Sequence, residues 1–364
     1  MTDKPELRAL TGIRGIAAWF VVLYHIRLSI AGLPGWALSV FAKGYLAVDF
    51  FFLLSGFVLW LTYGARLRGG GIAGVAHFWQ RRVARIWPLH LFMLGCAVAL
   101  ALLLAATGRH DPAEFPFGEL PLHVLLIQNW GLTDRLSWND PAWSISAEWA
   151  AYLLFPLFVA LVDWRRVPGI GVVAGIAALL LALHGVMAAS GAATLGQDIS
   201  HLGLVRCLFE FVAGTGICAL WLRCAERPLP AIIASLALGI AAGAATIAGR
   251  VPETLGAPIA FAALLLFLAL TCGMRGNALE SRAIHYLGEI SYATYLGHFL
   301  LWKAFKLAFV TDAYDVAPGL IGLYLIGVLL SSIALYHMVE RPAQRRVNAI
   351  GTEKGAKPPQ PLRP

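Results

Sequence analysis

A histidine, an arginine and two carboxylates stand inside runs that are otherwise apolar, where ionisable groups are costly and seldom idle. The first run, residues 10–30, holds Arg14 and His25, eleven residues apart. At 100° per residue the two fall within ~20° of one helix face, separated by ~16 Å along the axis. Arg14 then sits near the start of the span and His25 in its far third. Asp49 lies about five residues inside the second run, and Glu148 about five inside the fourth, with Ser144 and Tyr152 four residues to either side on the same face. By depth alone, His25, Asp49 and Glu148 converge. A histidine fixed by a carboxylate, either Asp49 or Glu148, is a general base that works near neutral pH. Ser144 and Tyr152 are candidate substrate contacts. Trp130, with Trp138 and Trp143, offers either rings to stack on a sugar or belt aromatics of a membrane interface.

The opposite end of these runs is basic. Arg81, Arg82 and Arg85 precede the third run, and Arg14 closes the first. Guanidinium groups grip phosphate oxygens in pairs, so this cluster suits a phosphate-bearing ligand. It equally serves as a topology determinant. Ser291, Tyr295 and His298 share one face of the ninth run, where they either pack, the first reading, or line the same cavity, and Lys303 and Lys306 read as interface anchors.

The elements that must hold these groups are membrane helices. Of 364 residues, 59% are hydrophobic and 13% charged. A soluble core cannot bury that much apolar surface, and the balance excludes a nucleic-acid-binding reading of the net charge of +8. Ten runs approach the ~20 residues a helix needs to cross a bilayer: 10–30, 44–64, 86–107, 143–162, 170–190, 202–222, 230–248, 255–272, 286–310 and 319–339. The expected fold is therefore all-α, a polytopic membrane bundle of about ten helices. Placing the N-terminus in the cytoplasm puts 19 Lys and Arg on inner segments, 5 on outer segments and 4 within spans, the asymmetry of the positive-inside rule. Both termini are then cytoplasmic. The longest outer segment, 108–142, is acidic, and its apolar stretch 120–130 is too short to span. It is expected to lie at the interface or to fold back. The tail, 347–364, is basic and rich in Pro and Gly and is expected to be disordered. The five cysteines are scattered, and no histidines fall at ligand spacing, so neither disulfides nor a metal is expected.

Taken in order, "LTGIRGIAAWFVVLYH", "GYLAVDFFFLLSGFVL", "RRVARIWPLH", "WSISAEWAAYLLFP", "LGEISYATYLGH" and "ERPAQRR" resemble the acyltransferase-3 family of integral membrane acyltransferases, over roughly residues 7–346. The resemblance implies one membrane domain, 1–346, in a bacterial inner membrane. It implies an acyl-CoA co-substrate, most often acetyl-CoA, drawn from the cytoplasm, and a hydroxyl of an extracytoplasmic glycan or glycolipid as acceptor. It assigns His25 to catalysis, Arg14 to its pairing, Arg81, Arg82 and Arg85 to the family's basic motif, Ser55, Gly56 and Phe57 to its "SGF", and Glu148 to its acid. His90 departs from the pattern, which has an aromatic there, and adds a histidine near the inner arginines. Direct transfer with His25 as base and a covalent acyl-histidine remain two routes. A transporter and a lipid-directed acyltransferase are the alternative functions.

Overall fold

The computed structural model describes residues 7–109 and 111–350, and among them there is no strand. The apolar runs become α1 (Arg8–Ile26), α3 (Ala47–Gly69), α4 (Gly71–Ala106), α6 (Ala142–Leu161), α7 (Gly169–Ala189), α8 (Ile199–Cys224), α9 (Pro228–Ile247), α10 (Glu253–Leu270), α12 (Ser291–Phe309) and α13 (Pro318–Leu335). Short helices α2 (Gly35–Phe41) and α5 (Leu120–Leu125) lie between them, α11 (Arg282–Glu289) precedes α12, and α14 (Arg341–Ala349) follows α13. Among the described residues nine segments are long and apolar enough to cross a membrane. Helix α12 is long enough, at 19 residues, but too polar. It carries His298, Lys303 and Lys306, and its buried face includes Ser291, Thr294, Tyr295 and His298. The chain is an integral membrane bundle, with α12 shielded by its neighbours.

Differences from the sequence-based boundaries have local causes. Helix α4 begins fifteen residues before the expected span, because the basic stretch from Gly71 to Arg85 continues the helix without a break. The expected ninth span is two helices meeting at Ile290, where the Ser291 hydroxyl donates back to the Gly288 carbonyl at 2.8 Å. Helix α13 passes through a π turn, Tyr336–Glu340, into α14, so the expected tail is helical as far as Ala349. Residues 351–364 lie outside the described residues.

Glycines let the helices that carry the site approach backbone to backbone. A Cβ on Gly56 of α3 would fall on the Phe211 carbonyl of α8, and one on Gly214 of α8 would fall on the Leu53 carbonyl of α3. Gly15 of α1 faces the backbone of Leu287 and Gly288 in α11 in the same way. This is the small-residue packing of membrane helices, where close van der Waals contact replaces the hydrophobic effect. Helix α9 is the opposite case: it packs along α10 and buries only Ser235.

The segment between α4 and α6 folds back into the bundle. His90 of α4 donates from Nε2 to the His123 carbonyl at 2.7 Å. The Asn129 amide donates to Ser146 Oγ at 3.1 Å, the Trp130 indole to the Ser146 carbonyl at 2.9 Å, and Asn139 to the Leu296 carbonyl at 2.9 Å. Irregular backbone at this depth is tolerable only because protein groups satisfy it. Burial holds His123 neutral, with a pKa of about 4. The Ser137 hydroxyl donates to Glu119 and so accepts from His123 Nε2–H.

Gly56→Val is expected to destabilise the bundle by about 1–3 kcal/mol through overpacking. Gly185→Ala, at a position with open space around it, is expected to be neutral. Thermal unfolding of the detergent-purified variants checks this, and equal midpoints would contradict the backbone-contact account.

Candidate active site

Two cavities lie end to end in the bundle. The first, about 180 Å³, is at the basic end, and Arg14, Arg82, Arg85, Ser55, Glu148 and Tyr152 are among its lining residues. The second, about 260 Å³, is lined by His25, Tyr24, Arg27, Asp140, Trp143 and Arg206, among others. Val48 of α3 and Tyr295 of α12 line both and form the partition between them. Tyr295 is held in place by a 2.7 Å hydrogen bond to the Ser144 hydroxyl. The shared helix face of Arg14 and His25 thus runs past both cavities, one residue in each.

At the basic end the three arginines of α4 differ. Arg81 stays outside, with its Nε 3.5 Å from His77, and does not line the cavity. Arg85 forms an ion pair with Glu340, a carboxylate buried at the end of the π turn, and its guanidinium lies over the Tyr292 ring. Arg82 has no carboxylate within ion-pair distance among the described residues. It lies over the rings of Tyr63, Tyr152 and Phe78 at 5.3, 5.7 and 6.0 Å, and its buried Nε has no partner. Arg14 likewise makes no ion pair among the described residues and completes this wall. An anion entering here therefore meets Arg82 and Arg14 with donors to spare. Glu148 lies in the same cavity, a turn from Tyr152, whose hydroxyl is 3.3 Å from Ser55.

The carboxylate expected beside His25 is not there. Asp49 faces α8, where both its oxygens receive bonds from the Arg206 guanidinium, one of them at 2.5 Å. Arg206 also donates to the Leu195 carbonyl at 2.9 Å, and both side chains are buried. Equal depth did not mean equal azimuth: an arginine inside the membrane claimed the carboxylate. Glu148 faces the arginines instead. The group that touches His25 is His298, with Nε2 3.1 Å from His25 Nδ1. His25 Nδ1 also lies 3.0 Å from the Val21 carbonyl, and its ring packs edge-on against Tyr24 and Phe299. His298 was read as a packing residue; the signal that would have found it was the Ser291, Tyr295 and His298 stripe, whose other two members line the first cavity.

Other expectations change too. Trp130 lines neither large cavity, because its indole is bonded to the Ser146 carbonyl. Trp138 is fully buried with φ +61°, packed on Phe115 and Phe117, and only Trp143 of the three faces a large cavity. His90 is bonded to the folded-back segment rather than placed among the arginines. Lys303 pairs with Glu114. Asp140, just before α6, lines the second cavity, and burial raises its pKa from its ordinary value.

The family model described as "Acyltransferase domain" matches residues 7–337. Acyltransferase MdmB of Streptomyces mycarofaciens is 32% identical, over 93% of this chain and 92% of its own. The exopolysaccharide production protein ExoZ of Rhizobium meliloti is 28% identical, over 85% and 92%. O-acetyltransferase OatA of Staphylococcus aureus is 22% identical over 95% of this chain, which spans 58% of that longer protein. No solved structure matches.

Asp49→Leu strands the buried Arg206 charge and is expected to cost about 3–5 kcal/mol. The double variant Asp49→Leu/Arg206→Met is expected to recover most of it. Unfolding midpoints in detergent decide, and a single variant as stable as wild type would contradict the pairing.

Proposed function

The chain belongs to a family of integral membrane acyltransferases, and from that premise we propose that it moves an acyl group, most simply acetyl from acetyl-CoA, to a hydroxyl of a glycan or glycolipid. The donor enters from the cytoplasm and the acceptor from the other side of an inner membrane, with both termini cytoplasmic. The observation that carries the reading is the pair of cavities meeting at Val48 and Tyr295, with unpaired guanidinium groups on one side and a histidine on the other.

Arg82 and Arg14 bind donor phosphates, and Arg85, already neutralised by Glu340, shapes the cavity wall. Arg81 contributes to the basic surface through which an anion approaches. The first cavity takes the start of the thin arm while the nucleotide stays at its basic mouth. The arm reaches the second cavity by displacing Tyr295 from Ser144. The acceptor occupies the second cavity, with Trp143 and Asp140 in its wall. His25 Nε2 takes the proton of the acceptor hydroxyl as its oxygen attacks the thioester carbonyl. The C–S bond breaks, and the departing thiolate takes that proton back, which leaves ester and free thiol. Transfer through an acyl-histidine uses the same two cavities with the acceptor arriving second.

The presence of an exopolysaccharide production protein among the relatives favours a glycan acceptor over a lipid one. Membership of an acyltransferase family across nearly the whole chain weighs against the transporter alternative.

Membranes carrying the protein, given acetyl-labelled acetyl-CoA and the host's envelope glycans, are expected to label a glycan. His25→Ala is expected to lower transfer by about 10²–10⁴-fold. Arg82→Ala is expected to raise the donor KM about tenfold with little change in kcat, because it removes a ground-state charge contact. Label in lipid alone selects the lipid acceptor, and undiminished transfer by His25→Ala removes the base assignment.

A further inference from the structure

The contact between His25 and His298 determines more than packing. A backbone carbonyl can only accept a hydrogen bond. The Thr294 carbonyl, 3.1 Å from His298 Nδ1, therefore requires a proton on that nitrogen. Neutral His298 then carries a bare lone pair on Nε2. The Val21 carbonyl, 3.0 Å from His25 Nδ1, likewise requires a proton there. The Nδ1–H of His25 is shared between that carbonyl and His298 Nε2 at 3.1 Å, and every partner is satisfied without conflict. The tautomer that remains for His25 has its lone pair on Nε2, the ring nitrogen left for the cavity that His25 lines.

His298 is itself locked. It is 1% exposed, and the Tyr324 hydroxyl of α13 donates to its backbone carbonyl at 3.0 Å. Its ring lies 4.9 Å from that of His25 and 6.3 Å from that of Tyr295, which lines both cavities. A carboxylate usually holds a basic histidine from behind; here a second imidazole occupies that place.

We propose that His298 is a positioning residue for His25: its unprotonated Nε2 accepts the Nδ1–H of His25, fixes the tautomer and ring plane that present His25 Nε2 to the acceptor hydroxyl, and holds the imidazolium once that proton arrives. The inference rests on His25 being the base. In the transfer step His25 gains the acceptor's proton at Nε2, and its Nδ1–H becomes a cationic donor to His298, a stronger hydrogen bond than the neutral one before it. The proton leaves again to the thiolate, and His298 does not change charge. A neutral acceptor suits this depth, because a carboxylate at the same place would need its own cationic partner, as Asp49 does.

The test uses the whole protein, labelled with ¹⁵N-histidine and reconstituted in lipid, with His25 assigned by difference from His25→Ala. In wild type the His25 nitrogens are expected to report a protonated Nδ1 and an unprotonated Nε2. In His298→Phe the protonated nitrogen is expected to move to Nε2 or to exchange between the two. Acetyl transfer from acetyl-CoA to envelope glycans by His298→Phe is expected to fall about a hundredfold in kcat. The donor KM is expected to stay within about threefold, because positioning acts on the transition state rather than on donor binding. His298→Gln, whose amide oxygen can accept the same proton, is expected to restore at least about tenfold of the loss. If His25 keeps its tautomer and rate in His298→Phe while His25→Ala is inactive, this inference fails and the base assignment stands. If His25→Ala transfers acetyl like wild type, the base assignment itself fails and takes this inference with it.

Discussion

A charge inside an apolar slab must be paired or must face a polar cavity, and the arrangement of this bundle follows from how each charge is accommodated. Asp49 and Arg206 satisfy one another between α3 and α8, the two helices that also touch through Gly56 and Gly214. Arg85 and Glu340 do the same between α4 and the π turn that ends α13. These pairs satisfy four ionisable groups and tie α3 to α8 and α4 to the π turn. Among the remaining groups, Arg14, Arg82 and Glu148 line one cavity and His25 and Asp140 the next, while Glu210 of α8 is fully buried beside neither. The functional reading rests on that remainder.

Much of the fold was legible in the sequence because the bilayer imposes a length on every span. The ten runs became ten long helices within a few residues, except where helix extends beyond the apolar stretch, as it does at the start of α4 and through the π turn into α14, and where the ninth run breaks between α11 and α12. The common face of Arg14 and His25 was also legible, since helical geometry fixes the angle between two residues of one helix. What did not follow was which helices those faces meet. Asp49 and His25 share a depth but point to different neighbours, and depth carries no information about rotation. Arg206 held the missing signal: an arginine inside a span demands a carboxylate at its own depth, and Asp49 was available. Glu340 was similarly concealed, because it stands at the end of its span in a basic stretch and reads as solvent-exposed until α14 folds against α4.

The site has a directionality that neither cavity has alone. Guanidinium groups are gathered at one end, and His25, the proposed base, lies beyond one valine and one latched tyrosine that line both cavities. In the proposed reaction, such a layout would keep the reactive carbonyl of a thioester away from water until its arm had passed Tyr295, and would separate recognition of the donor from that of the acceptor.

The central claim is that the donor crosses from the arginine cavity to the histidine cavity. The most direct measurement is a cryo-electron microscopy structure with a non-hydrolysable thioether analogue of acetyl-CoA. The account predicts phosphate density on Arg82 and Arg14, Tyr295 rotated away from Ser144, and the acyl carbon in the second cavity, where an acceptor oxygen bonded to His25 would stand ~3–3.5 Å from it. Analogue density entering from the His25 side, or an acyl group that stays beside Glu148 with Tyr295 unmoved, would contradict it.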